Sequence, residues 1–487
     1  MKEGVNINSN NISQILDIAD KNSTITDLKV EGNVKYITLT KDIDNSLKCP
    51  ICGSKLKSKG QFTRHPNNQI FQDGYIIDLT VIGRRWKCSN EDCSYSYRDS
   101  FDFLEKRKRT TKIIPFQILM ALKDVDVSCV QVAKMFNVSD TYVHQVFKQY
   151  VDLPRKKLTK YICIDEVYLN LSPTCKYAIV IMDFVTGDIL DIIPSRRKIY
   201  TENYFLSIPR SERNQVEYLC CDMYDPYINY TNTYFPNAKV VTDSFHVLKW
   251  LLSLINIYIN TVKKRYMAKD AKRLKDKNHQ TNSSNKTIEE SKEVYILKKA
   301  KWVLLSNPGK FKDYESSYNH KLGMFMDSYA WEREFLKLDP KFEEIKRLKD
   351  MYEEFNESFI NDLPSASRRL DELIKIYETT DIAIFNEFAR LITKYHDSIV
   401  ASFTYIIDNN MENDSVVIRR LSNGPLESFN NIPSSLRAHS HGIDDFDFFR
   451  NRILWHCRED AAIQAIPKSK KEIHRASKPR GPYNKKK

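Results

Sequence analysis

The sequence has no apolar run long enough to cross a bilayer. Its longest, Trp250 to Ile259, is broken by Ser253 and Asn256, whereas a spanning helix needs about 20 apolar residues. No apolar h-region follows Met1, so nothing marks the chain for secretion. These absences argue against the membrane and secreted classes and predict an intracellular protein. They also bear on the ten cysteines, because without an oxidising compartment clustered cysteines are metal ligands before they are disulfides. Acidic residues are the minority: 63 Asp and Glu against 76 Lys and Arg leave a net charge of +13. Such a balance suits a polyanionic partner, nucleic acid before membrane. With 487 residues, 41% of them apolar, the chain has enough material for two to four packed domains.

Residues 1 to about 45 are polar and Asn-rich, with a helix predicted at Ile12 to Ala19 and a strand at Val34 to Leu39. Cys49-Pro-Ile-Cys52-Gly then sets two thiols two residues apart with a glycine behind them, the tight knuckle of a tetrahedral zinc site. Its partner is Cys88-Ser-Asn-Glu-Asp-Cys93. The four form one structural Zn2+ site, and the spacer between the knuckles is predicted to hold a small β-rich insert at Gln69 to Ile82. The other cysteines are scattered in apolar contexts and read as buried thiols.

The basic run Lys106, Arg107, Lys108, Arg109 is followed by a helical segment and then by Ser128 to Phe147. There the spacing of Val130, Ala133, Met135, Val138, Val143 and Val146 fits two short helices joined by a turn, with Ser139 as N-cap of the second. Such a helix-turn-helix presents the second helix to the major groove. Thr141, His144 and Gln145 would then face base edges, with Lys148 near phosphate. This domain spans 106–160, after an N-terminal region at 1–105 that carries the zinc-binding module.

From Tyr161 the pattern becomes three strands, a helix, a fourth strand, a short helix, a fifth strand and a long helix. The apolar pattern of the first strand, 161 to 168, stops at Asp165, the fourth strand ends in Asp222, and Asp243 with His246 opens the long helix. That order is ribonuclease-H-like, with the first and fourth strands side by side, and it makes an α/β core of residues 161–249 and 416–465. Residues 250–415 read as an all-helical insertion without strands. After it, Asn423 and Pro425 suit a helix start that places Glu427 in the first turn as a third carboxylate. The tail 466–487 is basic and almost free of apolar residues, which predicts disorder and nonspecific nucleic-acid contact.

Taken in order, these pieces resemble the DDE transposases of bacterial insertion sequences, specifically the ISL-three family. The resemblance rests on Cys49/Cys52 with Cys88/Cys93, the helix-turn-helix, Ile164-Asp165-Glu166, Cys221-Asp222-Met223 with Asp225-Pro226-Tyr227, Asp243 to His246, Asn423-Gly with Glu427 and Asn430-Asn431, and Gly442 with Phe446, Phe449, Arg450 and Arg452. It implies a cytoplasmic, nucleoid-associated bacterial enzyme that acts on double-stranded DNA, both at its element's terminal repeats and in the target, as a homo-oligomer on DNA. It also implies Asp165, Asp222 and Glu427 as the catalytic triad. Asp243 and His246, similar to a signature that related groups carry further on, take a second-tier place. Pro433 departs from the family pattern and should end the helix that carries Glu427.

The residues fit the chemistry without the name. Three carboxylates from separate segments suit two Mg2+ (or Mn2+) ions about 3.5 to 4 Å apart, which promote in-line displacement at phosphorus. Two other readings compete: a catalytically silent or domesticated DNA-binding regulator that uses the zinc module, helix-turn-helix and basic tail, and a structure-specific nuclease of the same fold, which would not need a helix-turn-helix.

Overall fold

The computed structural model describes residues 18–66, 70–72, 75–104, 109–173, 175–281, 290–307, 315–410, 415–440 and 445–474. The chain divides into two compact units, one of Met1–Pro154, Leu169–Lys176 and Asn431–Lys487, the other of Arg155–Tyr168 and Tyr177–Asn430.

The first unit contains a six-stranded sheet of β1 (Ser23–Glu31), β2 (Val34–Lys41), β3 (Leu56–Arg64), β4 (Ile70–Gln72), β5 (Tyr75–Cys88) and β6 (Ser96–Arg98). Its order is β1-β2-β5-β3, and β4 and β6 also pair with β5. The 14-residue β5 serves two cores. Ile77, Leu79 and Val81 pack with Ile37, Leu39, Phe101 and Phe103, while Trp86 and Cys88 at its far end join Cys49, Leu56 and Cys93. The β-rich insert thus occupies most of the spacer, though Gln69 itself lies outside the described residues.

Three helices follow: Ile114–Ala121, Cys129–Met135 and Asp140–Tyr150. The second starts in a capping box between Ser128 and Gln131, and Ser139 Oγ accepts from Tyr142 N at 3.1 Å to cap the third. The buried face of the second helix is Val132 and Ala133, whereas Val130 and Met135 are exposed. Residues 431–474, of which the sequence assigns all but the last few to the core, belong to this unit. The reason is visible in the helix Phe446–Cys457: the buried Arg452 guanidinium donates to the carbonyls of Leu122, Asp124 and Val127, and Trp455 Nε1 donates to Leu119 O at 2.9 Å. The tail also stays ordered beyond its expected start, because Lys468 pairs with Asp152 and its N–H bonds Gln149 O at 2.9 Å. Residues 475–487 lie outside the described part.

The second unit is built on a five-stranded sheet of β7 (Tyr161–Tyr168), β8 (Tyr177–Asp183), β9 (Ile189–Ile193), β10 (Tyr218–Cys221) and β11 (Lys239–Thr242), in the order β11-β10-β7-β8-β9. β8 and β9 are almost wholly buried, as strands covered on both faces must be. The fourth strand lies beside the first, parallel, with Cys221 opposite Ile164. Beyond the sheet the chain runs through the helix Ser244–Thr281 and a succession of helices to Ala401. The stretch Ser244–Arg273 is long and apolar enough to cross a membrane by length and composition, yet Val247, Leu251, Ile255, Ile259 and Val262 are buried in the helical core with Phe342, Tyr352 and Phe388.

The insertion is not all-helical. A short hairpin pairs β12 (Ser317–Asn319) with β13 (Met324–Met326), and β14 (Tyr405–Asn410) pairs with β15 (Ser415–Arg420) across the expected boundary at 415. Runs this short carry too little periodicity to be read from sequence. The helix that carries Glu427 is Gly424–Phe429. It stops there, and Pro433 sits in the first turn of the next helix, Asn431–His439, where the missing N–H costs nothing.

Candidate metal centres

The cysteine site comes from two turns. Gly53 adopts φ +73°, a left-handed conformation that a side chain would strain, and this lets its N–H bond Cys49 O at 2.9 Å and close the first knuckle. In the second, Cys93 N donates to Asn90 O at 3.2 Å. The four sulfurs lie within 4.8 Å of one another, with Cys49 to Cys93 at 3.7 Å and Cys52 to Cys88 at 3.3 Å. Disulfide sulfurs would be about 2.05 Å apart. Zn–S bonds of about 2.3 Å in a tetrahedron put sulfurs about 3.8 Å apart, so the donor set fits zinc. Side-chain and backbone hydrogen bonds to Ser54 lower the pKa of the exposed Cys52 thiol, whereas burial pushes the Cys88 thiol up.

The second centre lies just past the carboxyl ends of β10 and β11, beside the middle of β7, which runs on from Asp165 to Tyr168. Ile164, Cys221 and Thr242 are aligned across these parallel strands, so the next residues, Asp165, Asp222 and Asp243, fall at one level on one face. The opposite face holds the cluster of Ile162, Ile164, Leu219 and Cys221. Alternation therefore sends Glu166 the other way. It accepts from Tyr227 Oη at 2.6 Å and from Arg196 at 2.7 Å, and this ties the end of β7 to the helix that follows Asp222.

Around Asp222 the groups converge. His246 Nδ1 is 3.2 Å from Asp222 Oδ1 and 3.3 Å from Asp243 Oδ2, and its Nε2 is 3.9 Å from Glu427 Oε1. Asp165 Oδ2 accepts from Asn430 Nδ2 at 2.8 Å. Asn423 occupies the N-cap position expected of it, but its side chain does not cap. Fully buried, it donates to Ile164 O at 3.1 Å and approaches Asp222 Oδ1 at 3.5 Å. Its Oδ1 is buried without a hydrogen-bond partner among the described residues. Asp243, 2% exposed, accepts from Phe245 N at 3.1 Å and so caps the long helix.

Burial, with Asp165 and Asp243 nearby, raises Asp222 to about 6 against the opposing pull of His246. His246 is raised by its bond to Asp243 and by the acids around it. Acids pressed together, a buried carboxylate that resists ionisation and an orphaned amide oxygen are a donor set that fits a hard dication with oxygen ligands. Among the described residues, the group at this site whose ligand atoms lie within 4.8 Å of one another is Asp222, Asp243 and His246, without Asp165 or Glu427. A stability consequence follows for the metal-free chain. Asp222 binds a proton more tightly folded than unfolded, so its contribution is present at low pH and lost as pH rises from about 4 through about 6. Asp222→Asn should therefore raise the metal-free Tm at pH ~7.5, with the gain shrinking toward pH ~5; scanning calorimetry at both pH values checks it.

The residues expected to read DNA are less free than the sequence implies. Thr141 is exposed and Gln145 half-exposed, but the His144 ring lies 4.6 Å from that of Phe448 and Lys148 pairs with Asp445 at 2.5 Å. Of the basic run, Arg109 is exposed; Lys106, Arg107 and Lys108 lie outside the described residues. Sequence reading missed the side-chain roles of Asn423 and Asn430, although the amides flanking Glu427 were a signal for both.

A model of the ISL3 family of DDE proteins, described as transposase, matches residues 162–453, more than half of the chain. Among curated proteins, the transposase for insertion sequence element IS1001 of Bordetella parapertussis is 21% identical over 408 residues, 82% of this chain and 86% of its own length.

Proposed function

The chain belongs to the ISL3 family of DDE transposases, and from that premise we propose that it binds the terminal repeats of its own insertion sequence and cuts and joins DNA there in a Mg2+-dependent reaction. The observation that carries this reading is the register that sets Asp165 beside Asp222, with His246 linking Asp222 toward Glu427. The strand order supports a ribonuclease-H-like core.

In this reading Asp165, Asp222 and Glu427 hold a pair of Mg2+ or Mn2+ ions, which when bound activate a nucleophile and stabilise the leaving oxygen at phosphorus. Asn423 fixes β7 at Ile164 against Asp222 through its amide nitrogen. His246 is a positioning residue: held by Asp243, it screens Asp222 from its neighbours and keeps the acids close before ions arrive. Asp243 caps the helix and stands outside the first coordination shell. The zinc site holds the N-terminal sheet, and the helix Asp140–Tyr150 reads terminal DNA through Thr141 and Gln145, with Lys106 to Arg109 on phosphates. The chain works as a homo-oligomer on DNA.

Purified full-length protein with Mg2+ and an end-labelled duplex spanning the flank of its own gene should yield a strand break with a free 3′-hydroxyl at one fixed position. Specific binding without any break would instead leave the silent regulator as the function.

A further inference from the structure

One surface of the first unit is charged in a way that folding alone does not favour. Leu56, Trp86 and Cys88 are buried in the sulfur cluster, with Tyr97 packed against it, so their neighbours along β3, β5 and β6 point the other way. Those neighbours are Lys55, Lys57, Arg85, Lys87 and Arg98, every one of them exposed. In register, Lys57 stands directly opposite Lys87, and Arg85 directly opposite Arg98. Like charges in such cross-strand pairs repel and weaken the sheet. Among the described residues no carboxylate comes within 4.0 Å of any of the five. Their side chains make one described interaction, Arg98 over the Phe62 ring at 5.8 Å.

We propose that this five-cation face of the zinc-held sheet is a DNA-backbone contact surface that binds the phosphates of duplex DNA by charge and not by sequence. The claim rests on the transposase reading for its choice of ligand. The chemistry of the rows favours duplex over the alternatives. The aromatic on this face, Phe62, is half-buried beneath Arg98 and packs into the Ile77, Leu79 and Val81 core, so it is not offered to unpaired bases or to a membrane. Zinc supports the face indirectly, because Cys88 ends β5 one residue from Lys87.

The test uses full-length protein and a random-sequence duplex, with Kd measured over a range of salt. Each phosphate that a variant no longer neutralises should reduce the slope of log K against log salt by about 0.9. Removing Lys57, Arg85, Lys87 and Arg98 together (each to Ala) should flatten the slope by about 3.6 and weaken binding at low salt at least about tenfold, with zinc content unchanged. The milder pair Lys57→Gln with Lys87→Gln should flatten it by about 2 without lowering Tm, which guards against a misfolded quadruple variant. Arg85→Lys with Arg98→Lys should keep the slope. An unchanged slope in the two charge-removal variants overturns the proposal, even if wild-type protein cleaves its own ends. A flattened slope supports the face even if no cleavage is found, in which case the catalytic reading alone fails.

Discussion

Asp222→Asn should lower Mg2+-dependent strand cleavage by about 10^3-fold or more while changing affinity for terminal DNA less than about twofold. The substitution keeps shape and removes one charge from a site where a metal pair needs it. Losing several kcal/mol of charge stabilisation at about 1.4 kcal/mol per tenfold gives that magnitude. Asp165→Asn and Glu427→Gln should behave alike, since each would cut the same constellation. Asp243→Asn is the discriminating control. Its carboxylate accepts from Phe245 N, and Asn serves as an N-cap about as well as Asp, so this variant should fold normally and retain measurable cleavage. If Asp243→Asn is as dead as Asp222→Asn, then Asp243 is a direct ligand and Asp222 is not alone in the middle place.

The other large effect concerns zinc. Structural sites with thiolate ligands carry about 10 to 16 kcal/mol of apparent binding free energy at neutral pH. Three of the four cysteines, Cys49, Cys88 and Cys93, are buried in one core with Leu56 and Trp86, and Cys88 ends β5. Cys49→Ser with Cys88→Ser, or prolonged chelation, should therefore unfold the sheet of β1 to β6. The five-stranded sheet of the other unit has its own core and should survive. One zinc per chain in wild type and none in the double variant, by metal analysis, is the expected result, accompanied by loss of protease resistance confined to the segment that ends with β6.

Much of this was legible in the sequence, for identifiable reasons. Asp222 follows an apolar strand-like run and lies just past the end of β10, whereas the apolar pattern fails at Asp165 although β7 itself runs on to Tyr168. The cysteine knuckles are local and carry their geometry in their spacing. What the sequence hid was set by distant partners. Nothing near Asn423 announces that its amide crosses to Ile164 O, 259 residues away. His144 looks like a base-reading residue until Phe448 arrives against its ring. The C-terminal segment was misjudged for the same cause, because nothing near Arg452 in the sequence announces that it is buried and bonded to Leu122 O, 330 residues away.

A crystal soaked in Mn2+ and examined at the manganese absorption edge tests the central claim most directly. The account predicts two anomalous peaks about 3.5 to 4 Å apart, bounded by Asp165, Asp222 and Glu427, with Asp243 still bonded to Phe245 N. A single peak held by Asp222, Asp243 and His246, with Asp165 and Glu427 turned away, would contradict it.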